Sequence, residues 1–388
     1  MQKPQRRIYA IFFLFAFGLG SMLSRLADIQ ENLQIEEGLL GVALMCSSFG
    51  LLVFLTVGAP LVDRLGNKRT FILANSAMIA LYVLVAGLNI YGLMIATIFL
   101  AGMAVGAMEI SINVEADRLE ASTGRRIMSR CHGFWSFGFF AAALLGGIMR
   151  QFDVVPLVHM LIVLPIVVGG TLFVTLGREM APEKPDEDKD HGVKFARPTP
   201  YILTLCAVSV GALIAEGAGI DWSVIYIRDT FEIAEFVESS SLIAFTLVMA
   251  ITRFYADPVI ERFGAVIMAR GSLFVTMLGV TLVGIAPNFG LAILGFMLLG
   301  AGSSIIYPLA VSAAARQKDR ASSINVASLA QTAFLVFFIG PALLGFVAES
   351  FDIRVALMTP LPLLALGLLF AGSLDERRFA GKAESTNI

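Results

Sequence analysis

Long apolar runs separated by short polar breaks fill most of the chain. A helix needs about 20 mostly apolar residues to cross the hydrocarbon of a bilayer, and runs of this kind recur along the whole sequence. Breaks of only a few residues between runs are typical of tight connections between antiparallel helices. We therefore predict twelve transmembrane helices over residues 8–27, 38–61, 70–90, 92–115, 131–150, 155–176, 200–222, 237–256, 268–287, 289–313, 324–347 and 353–373.

Basic residues fall in alternate breaks of this pattern. Clusters of Lys and Arg precede the first run and follow every even-numbered run, whereas the breaks at residues 28–37 and 229–238 are acidic. Cytoplasmic loops of membrane proteins carry an excess of Lys and Arg. We expect a multi-pass protein with both termini, and the polar segment 177–199, in the cytoplasm.

The two halves of the sequence are similar to each other. Segment 59–66 reads APLVDRLG, segment 257–264 reads DPVIERFG, and the same offset aligns Gly102 with Gly300. Transporters built from such repeats bind their solute between the halves, near the middle of the membrane. We predict an N-terminal six-helix half at 1–176, a cytoplasmic linker at 177–199, a C-terminal six-helix half at 200–373 and a cytoplasmic tail at 374–388.

Composition supports a membrane protein and argues against several other classes. Hydrophobic residues make up 57% of the 388 residues and charged residues 15%, whereas soluble domains have about 45–50% and about 25%. The net charge of −2 provides no basic surface for nucleic acid. The three Cys and three His lack the spacing of metal ligands. We expect no metal, no cofactor and no enzymatic activity.

The break after the second run carries a family motif. Segment 59–69 reads APLVDRLGNKR, which resembles the Gly-x-x-x-Asp-Arg-x-Gly-x-Arg/Lys-Arg/Lys signature of the major facilitator superfamily, with Ala59 in place of the first glycine. The resemblance covers nearly the whole chain. It implies an all-α membrane protein with twelve transmembrane helices in two pseudo-symmetric six-helix halves, which transports a solute by alternating access.

Two further segments resemble the fucose-permease branch of that superfamily. Segment 109–113 reads EISIN, similar to Glu-x-x-x-Asn, and segment 134–138 reads FWSFG, similar to Phe-Asn-Ser-Phe-Gly. In that branch the glutamate of the first motif carries the proton, and the asparagine of the second motif contacts the sugar. The resemblance therefore implies proton coupling at Glu109, while Trp135 replaces the sugar-binding residue. Uncharacterised bacterial inner-membrane permeases are more similar still.

Glu109 is also the acid that lies deepest in an apolar run of the first half. Ionisable residues inside a membrane span are costly and usually functional. Glu109 is about seventeen residues, or about 25 Å, into its helix, where a carboxylate can take up and release a proton as access alternates. Asn113 lies one turn later on the same face and either tunes Glu109 or contacts the solute. Hydrogen bonding to a neighbouring helix is the structural alternative for both.

Other polar residues in the runs are candidates for a solute site and two gates. Trp135, Tyr307, Asn325 and Gln331 are candidate solute-binding residues, because such side chains combine a packing surface with a polar group. Ordinary packing is the alternative for these four. We expect Arg25 to close an outer gate against Glu216 or Asp221, and the alternative is that these charges snorkel to the membrane interface. The family resemblance implies an inner gate formed by Asp63, Arg64, Arg118, Glu261, Arg262 and Arg316.

Together these features predict a monomeric secondary transporter of the bacterial inner membrane. Its expected partners are a small-molecule solute, protons and the lipid bilayer, and not nucleic acid. Proton-coupled uptake of a small, polar, sugar-like solute is the main prediction. A proton-coupled exporter and an importer of a ring-bearing nutrient such as a vitamin stay open. A transporter-derived sensor or a membrane enzyme is the alternative from a different class.

Overall fold

The computed structural model describes residues 4–124, 127–182, 196–317, 319–320 and 322–375. These residues form α-helices and one short 3-10 helix at Ala371–Leu374. The α-helices of the first half of the chain are α1 (Pro4–Leu23), α2 (Leu26–Leu33), α3 (Glu37–Val57), α4 (Ala59–Leu65), α5 (Asn67–Gly87), α6 (Tyr91–Thr123), α7 (Met128–Gln151) and α8 (Pro156–Thr175). Those of the second half are α9 (Pro200–Asp221), α10 (Ser223–Thr230), α11 (Glu235–Glu238), α12 (Ser240–Phe263), α13 (Ala265–Ile285), α14 (Phe289–Ser303), α15 (Ile306–Arg316), α16 (Ser322–Ser350), α17 (Ile353–Met358) and α18 (Leu361–Phe370).

Among the described residues, twelve helical stretches are long and apolar enough to cross a membrane. Each overlaps one of the twelve predicted runs, so the prediction of twelve spans is confirmed. The ends differ most where a helix continues into polar sequence. The fourth span was predicted to end at residue 115, but α6 continues to Thr123, because backbone hydrogen bonding does not stop at the first charged side chain.

Several spans that were predicted as single helices are broken into two. The breaks lie between α1 and α2 at residues 24–25, between α3 and α4 at Gly58, between α17 and α18 at residues 359–360, and between α14 and α15 at residues 304–305. The last of these has a local cause in Pro308. Proline has no N–H, so it cannot bond the carbonyl four residues earlier, and the carbonyl oxygen of Ser304 is left for another donor.

The repeat in the sequence corresponds to a repeat in packing. Gly102 in α6 lies so close to α3 that a Cβ atom there would overlap the carbonyl oxygen of Ser47. Gly300, its counterpart in α14, lies equally close to the carbonyl oxygen of Phe245 in α12. Both positions therefore require glycine to let two helices cross at short range.

The described core consists of two apolar clusters, one formed mainly by each half. The halves meet where α3 packs along α16 and α7 packs along α12. Because the spans alternate in direction, Pro4 and Leu374 lie at the same end of the bundle, here called the terminal end, and the other end is the opposite end. Most of the predicted linker (residues 183–195) and nearly all of the predicted tail lie outside the described residues.

Candidate functional site

Arg253 is a charged residue in the interior of α12, well away from both helix ends, and the sequence analysis did not identify it. A charge inside a membrane span is costly, so such a residue faces the interior of the bundle or a water-filled cavity. The Arg253 side chain is 14% exposed. The signal in the sequence was the presence of an arginine within an apolar run.

The guanidinium of Arg253 joins several helices at the centre of the bundle. Its Nη2 forms an ion pair with Oε1 of Glu216 in α9, at 2.8 Å. Its Nη1 donates to the Ser136 hydroxyl in α7 at 2.9 Å, and its Nε donates to the Ser304 carbonyl at 3.2 Å. The last acceptor is the oxygen that Pro308 leaves without a helical partner. Since α7 belongs to the first half and the other helices to the second, Arg253 lies where the halves meet.

Trp135 provides an aromatic surface beside this charge. The centre of its ring lies 6.0 Å from the Arg253 Cζ and 4.5 Å from the ring of Phe139. Trp135 packs against the apolar clusters of both halves. The structure thus places one of the predicted solute-binding residues next to a cation that sequence reasoning missed.

Glu109 and Asn113 lie one turn apart in α6 and contact each other. The Asn113 Nδ2 donates to the Glu109 carboxylate at 3.2 Å and to the Glu109 carbonyl at 2.8 Å. Both side chains are half-buried. The hydrogen bond that the structure gives this carboxylate is therefore within its own helix. Tyr307, another predicted solute-binding residue, lies on α15 of the second half.

Asn325 has a different environment from the one that we predicted. Its side chain is fully buried near the start of α16. The Asn325 oxygen accepts from Arg320 at 2.9 Å, and its nitrogen donates to Asp319 at 2.8 Å. The amide thus organises the turn between α15 and α16 at the terminal end. Gln331 accepts a hydrogen bond from the backbone of Ala196 at 3.1 Å and so contacts the chain entering α9.

A buried cluster of charges at the opposite end involves Arg25. Arg25 forms an ion pair with Asp28, one turn later, and donates to the Val154 carbonyl at 2.7 Å. Asp28 also pairs with Arg150 at 3.0 Å, and Arg150 pairs with Glu238 at 2.7 Å. The last pair joins α7 of the first half to α11 of the second. We call Arg25, Asp28, Arg150 and Glu238 the opposite-end cluster.

These contacts correct the predicted outer ion pair. Arg25 pairs with a carboxylate of its own half because Asp28 is within one helical turn. Glu216 pairs with Arg253 instead, in the middle of the bundle. Asp221 lines a small apolar cavity between α9 and α16, next to Gly217 and Pro341.

Two further contacts join the halves at the opposite end. Arg228 in α10 donates to the Gln30 side chain of α2 at 2.9 Å. The Glu349 carboxylate of α16 accepts from the Gly38 backbone of α3 at 3.1 Å. A cavity of about 430 Å³ beside Glu349 is lined largely by acidic residues, and its lining includes neither Glu109 nor Arg253. With the Arg150–Glu238 pair, contacts between the halves form at three different helix pairs.

The predicted inner-gate residues all lie on helices that end at the terminal end. Asp63 and Arg64 are on α4, Arg118 is on α6, Glu261 and Arg262 are on α12, and Arg316 is the last residue of α15. Arg118 is half-buried and the others are exposed. Their role in gating stays a prediction. Among the described residues, no cluster of His, Cys, Asp or Glu has the arrangement of a metal site.

Comparison with known proteins gives a family match over most of the chain. The model of the Major Facilitator Superfamily matches residues 8–234 and 204–386. An uncharacterised transporter, y4wD of Sinorhizobium fredii, is 29% identical over 357 residues, covering 91% of this chain and 93% of that protein. The membrane protein MosC of Rhizobium meliloti is 26% identical over 366 residues, covering 93% and 86%.

Solved structures show the same fold at low sequence identity. The nucleoside transporter NupG superposes with a TM-score of 0.71 at 13% identity, over 96% of this chain and 98% of that chain. The E. coli fucose:proton symporter FucP superposes with a TM-score of 0.62 at 17% identity, over 96% and 98%. At these identities the comparison supports the fold of two six-helix halves and carries no assignment of substrate.

Proposed function

We propose that this chain, which belongs to the Major Facilitator Superfamily and is a membrane transporter, takes up a small polar solute together with protons. The observation that carries this proposal is the Glu109 carboxylate inside α6, whose hydrogen bond is with Asn113 of the same helix. A carboxylate in the interior of a span that is not held in an ion pair can exchange its proton when the bundle opens to either side.

The solute-binding region of this proposal lies between Glu109 and Trp135. Trp135 offers a flat surface for a sugar or another ring, and Tyr307 adds a hydroxyl from the second half. A sugar-like solute is in keeping with the resemblance of segment 109–113 to the fucose-permease branch. The aromatic face of Trp135, beside Phe139, favours a ring-bearing nutrient as the second candidate.

The proposed orientation identifies the end of the bundle that must open to the outside during uptake. The clusters of Lys and Arg support an orientation with the terminal end in the cytoplasm of a bacterium and the opposite-end cluster outside. In the described conformation the outer ends of the halves are joined by Arg150–Glu238 and by Arg228–Gln30. Alternating access then requires these contacts to break so that solute and proton enter from outside.

The test compares two kinds of transport in liposomes that contain Glu109→Gln. A screen of sugars, nucleosides and vitamins for thermal stabilisation first identifies the solute, because a ligand that binds the folded protein raises its Tm. Glutamine keeps the size of the side chain and its hydrogen bonding but cannot cycle a charge. We expect solute counterflow to be retained and accumulation driven by a proton gradient to be lost.

Glu232→Gln is the matched control, since Glu232 is exposed in the connection between α10 and α11. It should accumulate solute at the wild-type rate. Accumulation by Glu109→Gln at the wild-type level would show that Glu109 is structural. The proton-coupling group would then have to be sought at Glu216, at Asp221 or at His132, a histidine inside α7.

A further inference from the structure

Arg253 carries a positive charge to a place where both halves of the transporter can reach it. Each of its three nitrogens has one partner, namely Glu216, Ser136 and the Ser304 carbonyl. The Ser304 bond is to the backbone at a helix break. The Ser136 hydroxyl belongs to the other half, so this bond depends on how the two halves are placed relative to each other. The Glu216 carboxylate is the charged partner, and a group of the same chemistry can replace it.

We propose that the transported solute bears a carboxylate, and that this carboxylate binds Arg253 in place of Glu216. The proposal rests on the proposed transport of a polar solute and specifies its chemical class. Arginine is suited to this exchange because its planar guanidinium binds a carboxylate through two parallel hydrogen bonds. The residual exposure of Arg253 (14%) and of Glu216 (11%) shows that the pair borders open space.

Trp135 determines what accompanies the carboxylate. Its ring lies 6.0 Å from the guanidinium carbon, so the body of a bound acid lies against the indole while its charge is held by Arg253. A ring or a sugar-like skeleton fits beside an aromatic face, because both present an apolar surface. The solute class is therefore a ring-bearing or sugar-like carboxylic acid.

The exchange has a definite charge balance. The Arg253–Glu216 ion pair breaks, and an ion pair between Arg253 and the solute forms. One more carboxylate in the interior is costly, so the proton that the proposed function assigns to Glu109 enters together with the solute. The net charge of the site is then the same before and after binding.

A neutral solute interacts with this pair differently. Its hydroxyl groups can form hydrogen bonds with Arg253 and Glu216. A neutral hydroxyl binds a guanidinium more weakly than a carboxylate does, so it cannot displace Glu216. A purely structural ion pair would accept no external anion. An Arg253 that binds an acidic solute is distinguished from one that does not by removing the Glu216 charge and adding a small acid.

The experiment uses purified full-length protein in detergent and benzoate as the probe, with benzamide as its neutral counterpart of the same shape. Glu216→Gln removes the charge and keeps the size of the side chain, which leaves Arg253 without a counter-ion. We expect millimolar benzoate to raise the Tm of Glu216→Gln by about 2–4 °C more than benzamide does. In wild-type protein the difference should be smaller, because benzoate competes with Glu216.

The double variant Glu216→Gln, Arg253→Met tests the site of binding. The benzoate effect should vanish in it, and its persistence would show that benzoate binds elsewhere and would overturn the proposal. Equal Tm shifts with benzoate and benzamide in Glu216→Gln would also overturn it. If Glu216→Gln does not yield folded protein, Glu216→Asp weakens the pair by shortening the side chain, and its benzoate shift should lie above that of wild type. A Glu216→Asp shift equal to that of wild type would count against the proposal in the same way.

Failure of this proposal can be told apart from failure of the proposed proton coupling. Glu109 is unchanged in all of these variants. A missing benzoate effect, with accumulation still lost in Glu109→Gln, would mean a neutral solute on a proton-coupled transporter. A clear benzoate effect with normal accumulation in Glu109→Gln would mean an acidic solute whose proton does not travel on Glu109.

Discussion

At the scale of single residues, Arg150 is the cation that connects the two halves at the opposite end. It is buried and pairs with Asp28 of the first half and Glu238 of the second. Removing one member of a buried ion pair typically costs about 3–5 kcal/mol. We expect Arg150→Met to lower the Tm of the protein and to favour the conformation that is open at this end.

Labelling of a cysteine placed at Ser239 measures that opening. Ser239 is buried beside Glu238, so a membrane-impermeant maleimide should label Ser239→Cys slowly, and faster when Arg150→Met is added. The background has Cys46, Cys131 and Cys206 replaced. Arg270→Met is the control, because Arg270 is exposed on α13. Unchanged labelling and unchanged Tm in Arg150→Met would show that the pair does not hold this end closed.

Some residue contacts could be predicted from the sequence and others could not, and the separation along the chain explains the difference. Glu109 and Asn113 are four residues apart, so helical geometry alone brings them together. Arg253 lies 37 residues from Glu216 and 117 from Ser136, and only the packed bundle determines those partners. The prediction for Arg25 assumed a partner far away in the sequence, whereas Arg25 forms an ion pair with Asp28 in the next helical turn.

At the scale of helices, the break between α14 and α15 should be necessary for the position of Arg253. Pro308→Ala restores an N–H that can bond the Ser304 carbonyl and continue the helix, and alanine is the better helix former. We expect the Tm to stay the same or to rise, while solute transport falls because the Arg253 Nε loses an acceptor.

Pro165→Ala is the control for that variant. Pro165 also lies inside a helix, but on the exposed side of α8 and away from Arg253. Its replacement should leave transport unchanged. Normal transport in Pro308→Ala, at normal or raised Tm, would show that the helix break does not determine the function of Arg253.

Helices were predicted well because membrane insertion depends on local apolar composition, which a single sequence contains. Their breaks were missed, although Pro308 was visible, because a proline does not show by itself whether a helix bends or ends. Asn325 was misjudged for a related reason. An amide inside an apolar run can face a cavity or bond a neighbouring turn, and only the positions of Arg320 and Asp319 decide between these.

At the scale of the whole molecule, the orientation in the membrane is the most direct test of the charge pattern. Fusions of green fluorescent protein and of alkaline phosphatase at Arg126, at Lys189 and after the C-terminus should all report cytoplasm. Arg126 and Lys189 lie outside the described residues. A fusion at Glu232 should report the outside. Phosphatase activity at Lys189 would contradict both the orientation and the position of the linker.

The similarity of the two halves was visible in the sequence because glycines at close helix crossings cannot be replaced without a clash. Gly102 and Gly300 illustrate this in α6 and α14. The contacts between the halves were not visible, since they involve unrelated side chains such as Arg228 and Gln30. A repeat in sequence thus predicts the structure of each half but not the interface that they form.

The three contacts between the halves at the opposite end have a mechanical consequence. They lie on three different helix pairs, through Arg150 and Glu238, through Arg228 and Gln30, and through Glu349 and Gly38. If one contact breaks, the other two still keep the halves together, so the conformational entropy gained by breaking one contact is small. We therefore expect opening to be cooperative, with a partly opened bundle rarely populated.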